Sequence, residues 1–300
     1  MSDRALAFVP ETMEAVARAA CRRAGFSGAD IQFLRLGQNI LYHVPGHAVV
    51  VRIARDSSYH ADAVKEVAVA AWLAGEEVPA ARVFDIGCEQ PISAGDHPVT
   101  FWHYLPGRTA TGDEAAAAGG LLRGLHQLSY PVGIDIPEFR PLDRVERRLR
   151  RAPIPEQDKE LLLRVKTRLD SEVGDLTYVL PVGVNHGDAH IKNVIIAPDG
   201  TGTLIDFEAV NVAHHEWDLA KTATEAAMGM LPQNAYTQFT AAYGYDLVRW
   251  DGFPTVCSVM QLRMITWLAQ NFGHTEATAA EYRKRMLTLR EGFTENWSGF

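Results

Sequence analysis

From residue 186 the chain reads His-Gly-Asp-Ala-His-Ile-Lys-Asn, runs on through Val-Ile-Ile-Ala, Pro-Asp-Gly-Thr-Gly and Thr-Leu, and arrives at Ile205-Asp206-Phe207-Glu208. Two short β-branched runs around Asp199-Gly200 read as a hairpin, since that dipeptide supplies the turn. A hairpin of this length returns the chain on itself, so Asn193 and Asp206 finish at the same end. Asp188 lies five residues before Asn193 on a tight loop. A fold that accommodates the segment must therefore present two carboxylates and an amide oxygen close together.

Such a set suits phosphoryl transfer, which needs a carboxylate beside the attacking hydroxyl and oxygen ligands for Mg²⁺ among the phosphates. Asp188 fits the first role, and Asn193 with Asp206 the second. Two other readings compete. His186, Asp188 and His190 are also residue types that bind zinc or iron in a hydrolase, and Asp and Asn beside Gly are common turn formers. The complete set, hairpin included, points to phosphoryl transfer. His214-His215-Glu216 is the nearest other cluster of ligand types and reads as a solvated or supporting pair.

Upstream, residues 11–24 show helical spacing in Met13, Val16, Ala17 and Ala20, with Gly25 as a stop. Ile31 to Leu36, Ile40 to Val44 and Ala48 to Ala54 read as three strands. In the last, Val49, Val51 and Ile53 point one way while Val50, Arg52 and Ala54 point the other. A cation on a mainly apolar strand needs a partner. The next segment offers Glu66 at the edge of a helical stripe of Val64, Val67, Ala68, Ala71 and Trp72, ending near Gly75. Beyond residue 110 the pattern is mostly helical: Ala118 to Leu128, Glu156 to Leu169, Ala220 to Met230, Ala235 to Tyr243, Cys257 to Asn271 and Ala277 to Phe293. Arg144 to Arg151 read as a solvated or interdomain surface.

These residues resemble the aminoglycoside phosphotransferase family of small-molecule kinases. His186-Gly187-Asp188-Ala189-His190 with Asn193 is similar to its catalytic loop, Ile205-Asp206-Phe207-Glu208 to its metal segment, and Trp217-Asp218-Leu219-Ala220 to its Asp-Leu-Ala helix start. The resemblance implies an α+β, two-lobed, protein-kinase-like fold with a small antiparallel-sheet N-terminal lobe (residues 1–103) and a larger, mainly helical C-terminal lobe (104–300). Residues 130–180 would contribute to the acceptor site. It implies ATP or GTP and Mg²⁺ between the lobes, with Asp188 as base and Asn193 and Asp206 as metal ligands. Arg52, where protein kinases carry lysine, would grip the phosphates and be fixed by Glu66. Gln38 and Asn39 lie on a candidate phosphate-covering turn, and backbone groups of His103 and Leu105 would meet adenine at a hinge closed by Pro106-Gly107. His190 would face the γ-phosphate or pack, while His186 and Asp218 would shape the catalytic loop. Phe207-Glu208 replaces Phe-Gly, and only twelve residues separate Asp206 from Asp218. That leaves no room for the long activation segment of a protein kinase, so the acceptor is expected to be a small hydroxyl compound.

Composition bounds the rest. With 300 residues, 47% hydrophobic and 22% charged, the chain has enough apolar material for two folded lobes. Three dispersed cysteines suggest no disulfide framework and a reducing cytoplasm. The first residues lack a signal-peptide pattern, and no apolar run is long enough to span a membrane. Residues 171–300 carry 8 Lys/Arg against 15 Asp/Glu, a field that repels nucleic acid and attracts a cationic acceptor. An aminoglycoside or related cationic antibiotic is the first expectation. Kinases of an amino alcohol, a sugar, homoserine or a macrolide are alternatives, and a pseudoenzyme or metallohydrolase is the more distant reading. The protein is expected to act as a monomer or homodimer.

Overall fold

Residues 8–273, 275–292 and 295–299 are described by the computed structural model. In chain order the elements are α1 (Pro10–Arg23), β1 (Gln32–Leu36), β2 (Ile40–Val44), β3 (Val49–Ile53), α2 (His60–Gly75), β4 (Ile92–Ala94), β5 (His97–His103), β6 (Arg108–Thr109), α3 (Ala115–His126), α4 (Asp143–Arg151), α5 (Glu156–Gly174), β7 (Val182–Asn185), β8 (Val194–Ile196), β9 (Gly202–Leu204), β10 (Asn211–His214), α6 (Glu216–Ala227), α7 (Gln233–Tyr243), α8 (Phe253–Gln270) and α9 (Glu276–Glu291). The predicted helix end at Phe293 and the first five residues lie outside the described residues.

The chain divides into two compact units. One contains Met1–Thr109, Pro131–Ile136 and Val194–Val210, and the other Ala110–Tyr130, Pro137–Asn193 and Asn211–Phe300. The sequence suggests a single cut at residue 103. The discontinuity arises because the β8–β9 hairpin pairs with β6. Its Leu204 also bonds through its N–H to Pro79 O (2.9 Å) and through its carbonyl to the Ala81 N–H (2.8 Å). The metal-segment residues thus belong with the sheet unit.

In that unit an antiparallel sheet of order β1-β2-β3-β5-β4 is sorted by alternation. Val49, Val51 and Ile53 are fully buried, in a cluster with Met13, Ala17 and Ala20 of α1 and with Phe101, while Arg52 emerges on the other face. The helix α2 is present, but its buried face is Glu66, Val69, Ala70 and Leu73. Val64 is exposed, and Ala71 is exposed too. The predicted stripe was therefore rotated, and Glu66 stands within the buried face rather than at its edge. What turns the helix is the ion pair at Arg52, which a count of apolar side chains does not register.

In the second unit α8 is the central helix, with Val256, Val259, Leu262, Ile265 and Leu268 wholly buried and α4, α5, α6 and α9 packed around it. On α4, Val145 and Leu149 are buried. Arg148 shares their face by i, i+3 spacing, so its guanidinium turns inward to the Arg263 carbonyl (3.0 Å) instead of joining a solvated surface. Helix α3 lies closely along α7. Any Cβ at Gly119 would collide with the Phe239 carbonyl, so only glycine allows this approach. Replacing Gly119 by Val should cost about 3 kcal/mol through overpacking, read as a lower urea midpoint with an unchanged m-value.

Candidate active site

In the sheet unit, one guanidinium gathers three carboxylates. Arg52 Nη1 donates to Glu66 Oε1, and Nη2 donates to Glu208 Oε2 (2.8 Å) and Asp206 Oδ1 (3.2 Å). Glu66 Oε1 also accepts the Phe207 N–H (3.3 Å), which ties α2 to the metal segment. Asn39, on the β1–β2 turn, donates to Glu208 (3.0 Å). Lys65 donates to the carbonyls of Glu208 (2.7 Å) and Val210 (3.3 Å). Asp206 itself adopts a left-handed φ of 70°, a conformation non-glycine residues rarely hold without a surrounding structure that compels it.

The charges here do not balance. Burial opposes the charge on Arg52, but the three carboxylates outweigh it and hold the guanidinium firmly protonated. Burial, together with Asp206 and Glu208, pushes the Glu66 carboxyl upward against the pull of Arg52. Three carboxylates around one guanidinium leave an excess negative charge of the kind a divalent cation neutralises. Asn39, Arg52, Tyr59, Glu66, Thr100 and Glu208 line a recess beside it.

Gln38, by contrast, is exposed on its turn. His103 ends β5 and spends its N–H on Arg82 O (2.9 Å), so that residue can offer a nucleobase its carbonyl but not its N–H. Glu208 was not singled out by the sequence reading, although a second acid two residues past Asp206 was its visible signal.

In the helical unit, the Asp188 loop is braced from beneath. Asp218, at the start of α6, accepts the N–H groups of His186 (2.5 Å) and Gly187 (2.7 Å). Its Oδ2 also meets His126 Nε2 (3.0 Å), whose Nδ1 faces the Tyr243 hydroxyl (2.8 Å). Burial would raise the Asp218 carboxyl, yet His126, His186 and the Gly187 N–H overcome it and hold it ionised. Asp218 and His126 are thus structural supports of the loop. His215 is buried rather than solvated: its ring stacks on His126 at 3.9 Å, and Nδ1 meets Asn185 Oδ1 at 2.7 Å.

Asp188 is the outward member of this assembly. His190 Nε2 lies 3.6 Å from one carboxylate oxygen and Lys221 Nζ 3.7 Å from the other. Burial pushes the carboxyl up, but Lys221, His190 and His186 hold it far below the ordinary carboxylate range. Asn193 donates its amide to the Asp188 carbonyl (2.9 Å), which leaves its amide oxygen as the atom able to ligate a cation. Lys221 was missed in the sequence, where a lysine three residues past Asp218 looks like helix surface. Among the described residues no group of three or more His, Cys, Asp or Glu is arranged to hold a metal, so the zinc or iron reading has no ligand set to draw on.

Solved structures share this architecture. The chain superposes on a microcompartment-associated aminopropanol kinase with a TM-score of 0.72 and 16% identity, over 94% of this chain and 99% of that one. An amicoumacin kinase in complex with AMP-PNP, Ca²⁺ and Ami gives a TM-score of 0.74 at 14% identity, over 97% and 98%. An aminoglycoside phosphotransferase from Streptomyces rimosus gives 0.61 at 19%, over 85% and 99%. These likenesses define the fold as that of small-molecule kinases, protein-kinase-like and mixed α/β. Residues 37–253 match the model of the phosphotransferase enzyme family, and the chain belongs to that family. No curated protein sequence matches it. It is an enzyme that transfers phosphate to a hydroxyl group of a small molecule.

The histidine stack makes stability depend on pH. Burial, with His126 beside it, pulls His215 from 6.5 to about 4. Between those values the unfolded chain takes up a proton that the folded one refuses, so stability falls as pH drops from 6.5 toward 4. A series of urea midpoints across that range should show the decline, and His215→Gln, though less stable at neutral pH, should flatten it.

Proposed function

We propose that this protein transfers the γ-phosphoryl group of ATP, with GTP as an alternative donor, to an alcohol of a small molecule in a Mg²⁺-dependent reaction. The observation that carries the proposal is the state of Asp188: ionised, braced through Asp218, and with 48% of its side-chain surface open. A carboxylate held this acidic is a poor base toward a free alcohol. It suits a loose phosphoryl-transfer transition state, in which the hydroxyl must be oriented early and loses its proton late.

Each remaining group then has work to do. Arg52, fixed by Glu66, offers the donor's phosphates a forked contact, and His190 and Lys221 keep Asp188 unprotonated. Asp206 and the Asn193 amide oxygen are the residues that would hold Mg²⁺, with the surplus negative charge around Arg52 as the feature that fits them to a cation. When bound, the ion would neutralise the phosphate oxygens and polarise the transferred group. Asn39, carried on its turn, would close over the phosphates, and the backbone at His103 and Leu105 would receive the base.

For the acceptor, the acidity of residues 171–300 and the likeness to an aminoglycoside phosphotransferase and an amicoumacin kinase support a cationic antibiotic, hence a resistance role. The likeness to an aminopropanol kinase supports a metabolic alcohol. The charges nearest Asp188 discriminate between such acceptors more directly than the net charge does.

Asp188→Asn should lower kcat by about 10³-fold while leaving the affinity for ATP·Mg²⁺ intact in a calorimetric titration. Undiminished turnover in that variant would remove Asp188 from the reaction.

A further inference from the structure

Two arginines in the helical unit have no acid to answer them. Arg263 on α8 and Arg148 on α4 are both half-buried. Arg148 Nη1 donates to the Arg263 carbonyl (3.0 Å), Arg263 Nη1 donates to the Pro141 carbonyl (2.8 Å), and the Arg263 guanidinium lies over the Phe139 ring at 5.1 Å. Among the described residues neither forms an ion pair with Asp or Glu. Carbonyl and ring contacts position a guanidinium without neutralising it, and each fork retains N–H donors that these contacts do not use.

Their surroundings make this costly. Arg148 is pulled down to about 9 by burial and by Arg263, Arg144 and Arg147, and Arg263 to about 10 by burial and by Arg144. In both cases the charge that offsets the strain is that of Asp188. The pair therefore lies within electrostatic reach of Asp188. A half-buried cation cluster with no ion-paired acid is normally avoided. At the edge of an acceptor site it is the arrangement that recognises an anion, since two guanidiniums offer forked donors to carboxylate or phosphate oxygens.

We propose that Arg148 and Arg263 form the acceptor-anion subsite, and that the natural acceptor is a small alcohol carrying a carboxylate or phosphate group a few bonds from the hydroxyl that Asp188 orients. The overall acidity of the C-terminal residues suggests a cation instead. The charges that act most on Asp188, however, are those of Lys221, His190 and His186. An anionic acceptor would relieve the repulsion between the arginines and place its hydroxyl beside Asp188. This inference rests on the phosphotransferase reading and adds the acceptor's charge to it.

The test is an ATP-consumption assay on matched alcohols differing in one charged group: threonine against 1-amino-2-propanol, glycerate against glycerol, gluconate against glucose, and glycerol 3-phosphate against glycerol, with kanamycin as a polycationic control. The acid member of at least one pair should be used with a kcat/KM at least about tenfold higher than its partner. The carboxylate and phosphate arms separate the two anion types. With the preferred acid, Arg148→Gln and Arg263→Gln should raise the acceptor KM at least about tenfold while kcat and the KM for ATP stay near wild type. Arg148→Lys, which keeps the charge, should recover part of the loss.

Preference for the neutral or cationic members, or equal losses on both members of a pair, would overturn the anionic subsite and leave phosphotransfer standing. Should no acid be turned over, the acids at millimolar concentration with AMP-PNP·Mg²⁺ should still raise the Tm of the wild type and not of Arg148→Gln. No such rise would also overturn it. Failure of ATP·Mg²⁺ itself to bind would overturn the phosphotransferase reading beneath it.

Discussion

A single guanidinium, bonded to three carboxylates, joins the central strand, helix α2 and the segment after β9 in the sheet unit. Arg52 comes from the central strand β3, Glu66 from the buried face of α2, and Asp206 and Glu208 from the segment after β9. An ion pair on an exposed surface contributes little, but a buried one is strongly directive, because removing either partner leaves an unpaired charge. That cost orients α2, brings the segment beyond Asp206 onto the sheet unit, and accommodates the left-handed backbone at Asp206. The same cluster carries more carboxylates than guanidinium groups, so structural order and a local surplus of acid come from one set of contacts.

In the helical unit, Asp218 plays the corresponding part with a different chemistry. It makes no contact that would qualify it as a reactant; it binds two consecutive backbone N–H groups and a histidine. By capturing main chain rather than side chain it sets the path of the loop, and with it the direction of Asp188. An exposed carboxylate is thus positioned by a buried one, and the two differ in exposure rather than in residue type.

Much of this was legible in the sequence because it is local. The hairpin between Asn193 and Asp206, the alternation along β3 and the spacing of Asp188 and Asn193 are all short-range patterns. The face of α2 was misread because Val64 and Ala71 are apolar yet exposed, and a buried acid outweighed them. The pairings of Glu208 and Lys221 are not legible in the sequence because their partners lie 156 and 33 positions away, at Arg52 and Asp188. The arginine pair was the least legible: residues 148 and 263 are 115 apart, and in isolation each resembles helix surface. Long-range pairs of charge are what periodicity cannot reveal.

The attachment of α2 at two successive residues has a further meaning. Glu66 reaches inward to Arg52 and the Phe207 N–H, while Lys65 takes the carbonyls of Glu208 and Val210. A rotation of the helix would have to break the contacts of both residues with the segment bearing Asp206. Here the helix is bolted at two successive residues, so its register and the course of residues 206–210 are set by one another.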